Sequence, residues 1–197
     1  MGRDGDATKI DFKRTLDAYR ATRGRFRLVD VPAMRYLMAD GQGDPNTSPA
    51  FTAAVEALYP VAYRLKFFSK TELGRDYVVP PLEGLWWADD MDAFTAARDK
   101  SRWSWTLMIM VPDWIDEAMI PAAGGVRVET LAEGRCVQTL HVGAFDDEAA
   151  VLARMHDEFI PGEGLRMTGR HHEVYFSDFR RVPPERRRTL LRQPVAP

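Results

Sequence analysis

RWSWTLMIMVPDW, residues 102–114, decides the fold class. Alternation puts Trp103, Trp105, Leu107, Ile109 and Val111 on one face and Ser104, Thr106, Met108 and Met110 on the other, the period of a strand with both faces largely covered. Just upstream, DYVVPPLEGLWWA (76–88) reads as a second strand, and the charged connection Asp89 to Lys100 joins the two as a hairpin. Further upstream the period changes. Phe51, Val55, Leu58, Ala62 and Leu65 recur at four-and-three spacing, so Pro49 to Phe68 reads as an amphipathic helix with Ser48 as N-cap and a kink near Pro60. Before it, FRLVDVPAMRYLMADGQG (26–43) alternates like a strand until Gly41, Gly43 and Pro45 end it.

Downstream the same order returns. VRVETLAEGRCVQTLHVGAF (126–145) is strand-like, with a hairpin-like signal at Ala132, Glu133 and Gly134. Asp146, Asp147 and Glu148 open a helix whose inner stripe is Leu152, Met155 and Phe159, and Gly162 and Gly164 stop it. EVYFSDF (173–179) and a last strand around Thr189 to Val195 follow. The expected class is α+β: strand, helix, strand, strand, given twice, as a pseudo-two-fold pair. The expected organisation is a polar lead-in over 1–24 and one domain over 25–197, with halves at about 25–122 and 123–197.

Composition narrows the classes. At 197 residues, 45% hydrophobic and 28% charged, the chain matches one globular core, and no tract is long and apolar enough to cross a bilayer. MGRDGDATKIDFKR at the start has no secretory apolar stretch, and the lone Cys136 excludes an internal disulfide or a thiolate metal cluster. A cytoplasmic protein without membrane partners is expected. A formal net charge of −2 gives no field for nucleic acid, and Arg186, Arg187 and Arg188 read as a solvated surface run. Five Trp, ten Phe and six Tyr, with the tryptophans crowded between Trp86 and Trp114, are the excess that needs explaining.

Glu173 is the first candidate for chemistry. In HHEVYFSDF, His171, Glu173, Tyr175 and Ser177 share one strand face, so a carboxylate stands among aromatics, where desolvation favours its proton-accepting role. It also reads as an ordinary solvent-facing strand residue. Of Trp86 and Trp87 only one can face a given cavity; Trp87 is preferred by its parity with Glu83 and Leu85, unless Gly84 bulges. Trp105, Tyr59 and Tyr63 are further ligand-contacting candidates, with Trp103 and Trp114 read as core anchors. Glu83 could supply a second carboxylate or simply end its strand. His171 and His172 point apart on a strand and lack an HExxH or cysteine partner, so no metal site is expected.

Four motifs in order carry a family resemblance: LYPVAYRLKFFSK (58–70), DYVVPPLEGLWW (76–87), WSWTLMIMVPDWI (103–115) and GRHHEVYFSDFRRVPPERRRTLLRQPV (169–195). Together they resemble the GyrI-like small-molecule-binding family over roughly Phe26 to Val195. The resemblance implies two strand–helix–strand–strand units, as in SOUL proteins, around a central ligand cavity. PLEGLWW and the HHE run resemble the cyclopropanoid cyclopropyl hydrolases, which open the strained ring of spirocyclopropyl-cyclohexadienone DNA alkylators. That implies an enzyme with a detoxifying or self-protective role; with the residues above, Glu173 and Tyr175 are then the expected catalytic pair, Trp87, Trp86, Trp105, Tyr59, Tyr63, Glu83 and His171 the expected ligand contacts, a planar aromatic small molecule the expected partner, and no cofactor is expected. A non-catalytic drug- or effector-binding protein and a gyrase-inhibitor-like protein remain the alternatives. A monomer or weak homodimer is expected, and about twenty-five residues before the first strand leave no room for a helix-turn-helix.

Overall fold

The structure is a computed structural model that describes residues 9–88, 100–121 and 124–197. The connection expected over 89–100 lies almost wholly outside the described residues. After a short helix α1 (Phe12–Thr15) come β1 (Arg27–Val31), β2 (Met34–Gln42), α2 (Pro49–Glu72), β3 (Leu82–Trp87) and β4 (Ser104–Val111). Then follow β5 (Arg127–Leu131), β6 (Gly134–Val142) and a helix α3, which begins as Glu148–Ala153, passes through a π turn at Arg154–Phe159 and ends at Ile160–Gly162. The chain finishes with β7 (Arg166–Met167), β8 (His171–Tyr175) and β9 (Arg188–Ala196). The class is α+β, and the lengths repeat between halves: five then nine residues in β1–β2 and again in β5–β6.

The antiparallel sheet runs β1-β6-β9-β8-β3-β4-β2-β5, with β7 on β9. The expected β3–β4 hairpin forms, with Trp86 opposite Trp105. The hairpin expected at Ala132–Gly134 does not. β5 pairs with β2 and β6 with β1, because Pro32–Ala33 and Ala132–Glu133 bend two long strands so that each spans both halves. Val31 opposes Gly134 and Met34 opposes Leu131, so the two ends of the sheet meet where these bent strands cross. The helix α2 also differs from expectation. It continues four residues past Phe68, and Pro60 does not interrupt it, since proline removes one internal bond that a 24-residue helix packed on the sheet can lose. Ser48 precedes it, but its hydroxyl donates to the Gln42 carbonyl rather than capping the helix.

Helices α2 and α3 lie on one face of the curled sheet. Phe51 of α2 packs on Trp86 and Trp105, and Met155 and Ile160 of α3 pack with Val137, Leu191 and Val195. Trp105 is fully buried because its ring lies against Gly41, where a Cβ would sit 2.0 Å from the ring, and its indole N–H donates to the Gly43 carbonyl.

The other face holds a buried polar network crossed by residues 10–25. The Tyr19 hydroxyl donates to Glu83 Oε1, Glu83 Oε2 meets His172 Nε2 at 2.9 Å, and His172 Nδ1 meets Glu133 Oε1 at 2.9 Å. Arg192 then bonds Glu133 Oε2 at 2.8 Å, Gln138 Oε1 at 3.1 Å and the Ala18 carbonyl. Glu83, His172 and Arg192 are wholly shielded from solvent. Although burial opposes the imidazolium, the two carboxylates raise His172 to about 8, while His172 and Arg192 pull Glu133 down to about 2 against its own desolvation.

A pH dependence follows. Because His172 rises above its unfolded value of 6.5, its contribution is full below pH 6.5 and is lost as pH climbs through about 8, on the order of 2 kcal/mol. Thermal midpoints of the parent should therefore fall between pH 6.5 and 8.5, and the fall should be absent from His172→Gln. An equal fall in that variant would assign the effect to other groups.

Candidate functional site

Strand parity and register build the site on the helix-bearing face. Register sets Trp86 opposite His171, Gly84 opposite Glu173 and Leu82 opposite Tyr175. Directly opposed residues share a face, so Trp86, His171, Glu173 and Tyr175 point together toward the helices. Between the sheet, the first turn of α2 and residues Glu148 to Asp157 of α3 lies a cavity of about 510 Å³. Trp86, Trp103, Phe51, Phe145 and Phe179 provide its apolar walls, and Glu148, Asp157, His156 and Lys100 bring polar groups.

Within it runs one continuous set of hydrogen bonds. The Trp86 indole N–H donates to the Tyr175 hydroxyl at 3.0 Å, Tyr175 donates to Glu173 Oε2 at 2.7 Å, and Glu173 Oε1 lies 3.2 Å from His171 Nε2. Burial, with Glu173 beside it, raises the Tyr175 hydroxyl well above the ordinary phenol range, so it stays protonated as a donor. Glu173 keeps 13% of its side chain exposed, enough for one edge of the carboxylate to meet a bound molecule. The arrangement can hold a water or a ligand proton against a carboxylate whose other contacts are fixed.

Gly84 is the space that permits it. A Cβ there would stand 2.8 Å from the Trp86 indole nitrogen and 3.2 Å from the Tyr175 hydroxyl. Gly84→Ala should break the Trp86–Tyr175 bond and cost about 1–3 kcal/mol by overpacking. A lowered thermal midpoint with altered tryptophan fluorescence would show it; an unchanged spectrum would mean that the rings move aside.

Several sequence expectations are redirected. Trp86, not Trp87, faces the cavity; Gly84 does not bulge, and Trp87 turns to the other face with the Arg170 guanidinium 3.5 Å over its ring. Trp105 lies under Phe51 and does not line the cavity. Glu83 belongs to the network behind the sheet, since its parity is that of His172. Tyr59 and Tyr63 sit two to three turns along α2 from the cavity; Tyr63 is 49% exposed, and both line a separate hollow of about 170 Å³. His171 stands behind Glu173 and touches it. Ser177 falls past the end of β8. Trp103, read as a core anchor, lines the cavity instead, whereas Trp114 packs on Phe12 and Tyr77 as such an anchor does.

The sequence reading passed over Phe51, Phe145, Phe179, Glu148 and His156. The signal that could have found part of this set is the spacing of Glu148, Leu152 and His156, one stripe of α3 four residues apart. The π turn at Arg154–Phe159 then brings Asp157 to the same wall.

The family model described as GyrI-like small molecule binding domain matches residues 25–196. A crystal structure of an uncharacterized conserved protein from Listeria innocua is similar at 37% identity, covering 95% of this chain and 100% of that one, with a TM-score of 0.85. One described as a hydrolase from Listeria innocua is similar at 36% identity, with the same coverage of both chains and a TM-score of 0.82. The EcmrR C-terminal domain shares the fold at 12% identity over 87% of this chain and 97% of that one, with a TM-score of 0.54. No curated protein matches the chain. Among the described residues no helix is long and apolar enough to cross a membrane.

Proposed function

The chain belongs to the GyrI-like small-molecule-binding domain family, and from that premise we propose that it is a hydrolase of planar, strained electrophiles. The substrate class is the spirocyclopropyl-cyclohexadienone alkylators, and the reaction is ring opening by water. The observation that carries the reading is Glu173: a carboxylate held by Tyr175 and His171 and set into a cavity walled by Trp86 and phenylalanine rings. A flat ligand slides between Trp86 and Phe179, with its cyclopropane carbon near Glu173. Glu173 accepts a proton from the attacking water, and Tyr175, kept protonated, fixes the carboxylate's orientation. Strain and aromatisation supply much of the driving force, so positioning plus one base are sufficient. The description of the Listeria innocua neighbour as a hydrolase supports an enzyme over a binder. In this reading the role is detoxification in the cytoplasm.

The test is to incubate the protein with a tenfold excess of such an alkylator and follow the hydrated product by mass. Turnover of the excess is the expected result. Return of the ligand unchanged, at one equivalent bound per chain, would instead make the protein a sequestering binder.

A further inference from the structure

His156 is the one cavity-lining histidine that the reading above leaves unused. It sits in the π turn of α3, and its Nε2 is buried without a hydrogen-bond partner. Its ring meets the ring of His171 edge to face at 6.2 Å between centroids, and His171 in turn holds Glu173. Burial, and then His171 beside it, push His156 down to about 4, so at neutral pH it is an uncharged imidazole. An unsatisfied buried nitrogen costs free energy that a ligand atom recovers once a turn of the imidazole ring presents it to the cavity that His156 lines. Glu173 and His156 thus offer a base and a neutral donor from the sheet wall and the helix wall of one cavity.

We propose that His156, in its Nε2–H tautomer, donates a hydrogen bond to the ligand oxygen that gains negative charge as the ring opens. The proposal rests on the ring-opening reading and adds its electrophilic partner. Water's oxygen bonds to the cyclopropane carbon while its proton passes to Glu173. The carbon–carbon bond to the spiro centre breaks, and its electron pair aromatises the six-membered ring and leaves the dienone oxygen as phenolate. His156 holds that oxygen without losing its proton, because a neutral imidazole is too weak an acid to give it up. The phenolate then takes a proton from solvent and Glu173 releases its own, so one water is added overall.

The test uses two probes besides the alkylator: 2-naphthol and naphthalene, which share a ring system and differ by one hydroxyl. The parent should bind 2-naphthol about tenfold tighter than naphthalene by fluorescence titration, and His156→Phe should bind the two alike. His156→Gln, which keeps an N–H, should restore part of the preference. With the alkylator, His156→Phe should lower kcat on the order of 100-fold with little change in KM, the loss typical of one oxyanion donor. If His156→Phe does not fold, His156→Leu carries the same comparison. A preference and a kcat that both survive the loss of His156 would overturn the proposal. A parent that leaves the alkylator intact while His156→Phe still erases the naphthol preference would sink the hydrolase reading and leave the oxygen contact standing.

Discussion

Glu173→Gln should slow ring opening by roughly 10²–10⁴-fold, the usual contribution of a positioned general base, while leaving ligand affinity nearly intact. The substitution keeps the side chain's shape and its acceptor for the Tyr175 hydroxyl, so the hydrogen bonds that run from Trp86 can persist. What it removes is the capacity to take water's proton. Comparing single-turnover rates with equilibrium binding of 2-naphthol separates the two effects. Equal rates for parent and variant would remove Glu173 from the chemistry. A collapse of binding together with rate would instead assign it a ligand-holding role, as counter-charge within an aromatic box.

The second large effect is expected across the sheet from the cavity, on its other face. Glu133→Ala leaves Arg192 and His172 facing each other inside the protein, with Arg192 Nη1 only 3.3 Å from His172 Nδ1. Removing one partner from a buried ionic network typically costs about 3–5 kcal/mol, because a desolvated charge loses its compensation. For a chain of this size that is a fall of about 10 °C in thermal midpoint. His172 should lose most of its raised affinity for protons in this variant, which proton NMR of the imidazole reads directly. A loss below about 1 kcal/mol would mean that the interior admits water to replace the carboxylate.

The sequence made some of these features plain and concealed others for identifiable reasons. Alternation from Trp103 to Val111 and the four-and-three spacing from Phe51 to Leu65 are local, and each produced the element expected of it. The shared face of His171, Glu173 and Tyr175 was equally legible, because parity within one strand needs no knowledge of its neighbours. Choosing between Trp86 and Trp87 did need that knowledge: the register against β8 decides it. Tyr59 and Tyr63 lie away from the cavity for a matter of length. They lie eight and twelve residues beyond Phe51, some 12–18 Å along the helix axis, and only its first turn reaches the cavity. The pairing of Glu83, His172, Glu133 and Arg192 joins residues up to 109 positions apart, for which no motif exists. The turn signal at Ala132–Gly134 misled because a bend and a hairpin use the same residues.

The crossing of the two bent strands governs how this chain must assemble. Each half lends its first strand to the edge of the other, so the edges of both half-sheets stay unpaired until residues about a hundred positions apart have met. Such non-local closure predicts slow folding dominated by one late step, with little stable structure before it. A chain cut in the connection between β4 and β5 should yield two fragments that are each largely unstructured and that regain the native spectrum only when mixed. The cavity, drawn from both, would appear at the same moment as the fold itself.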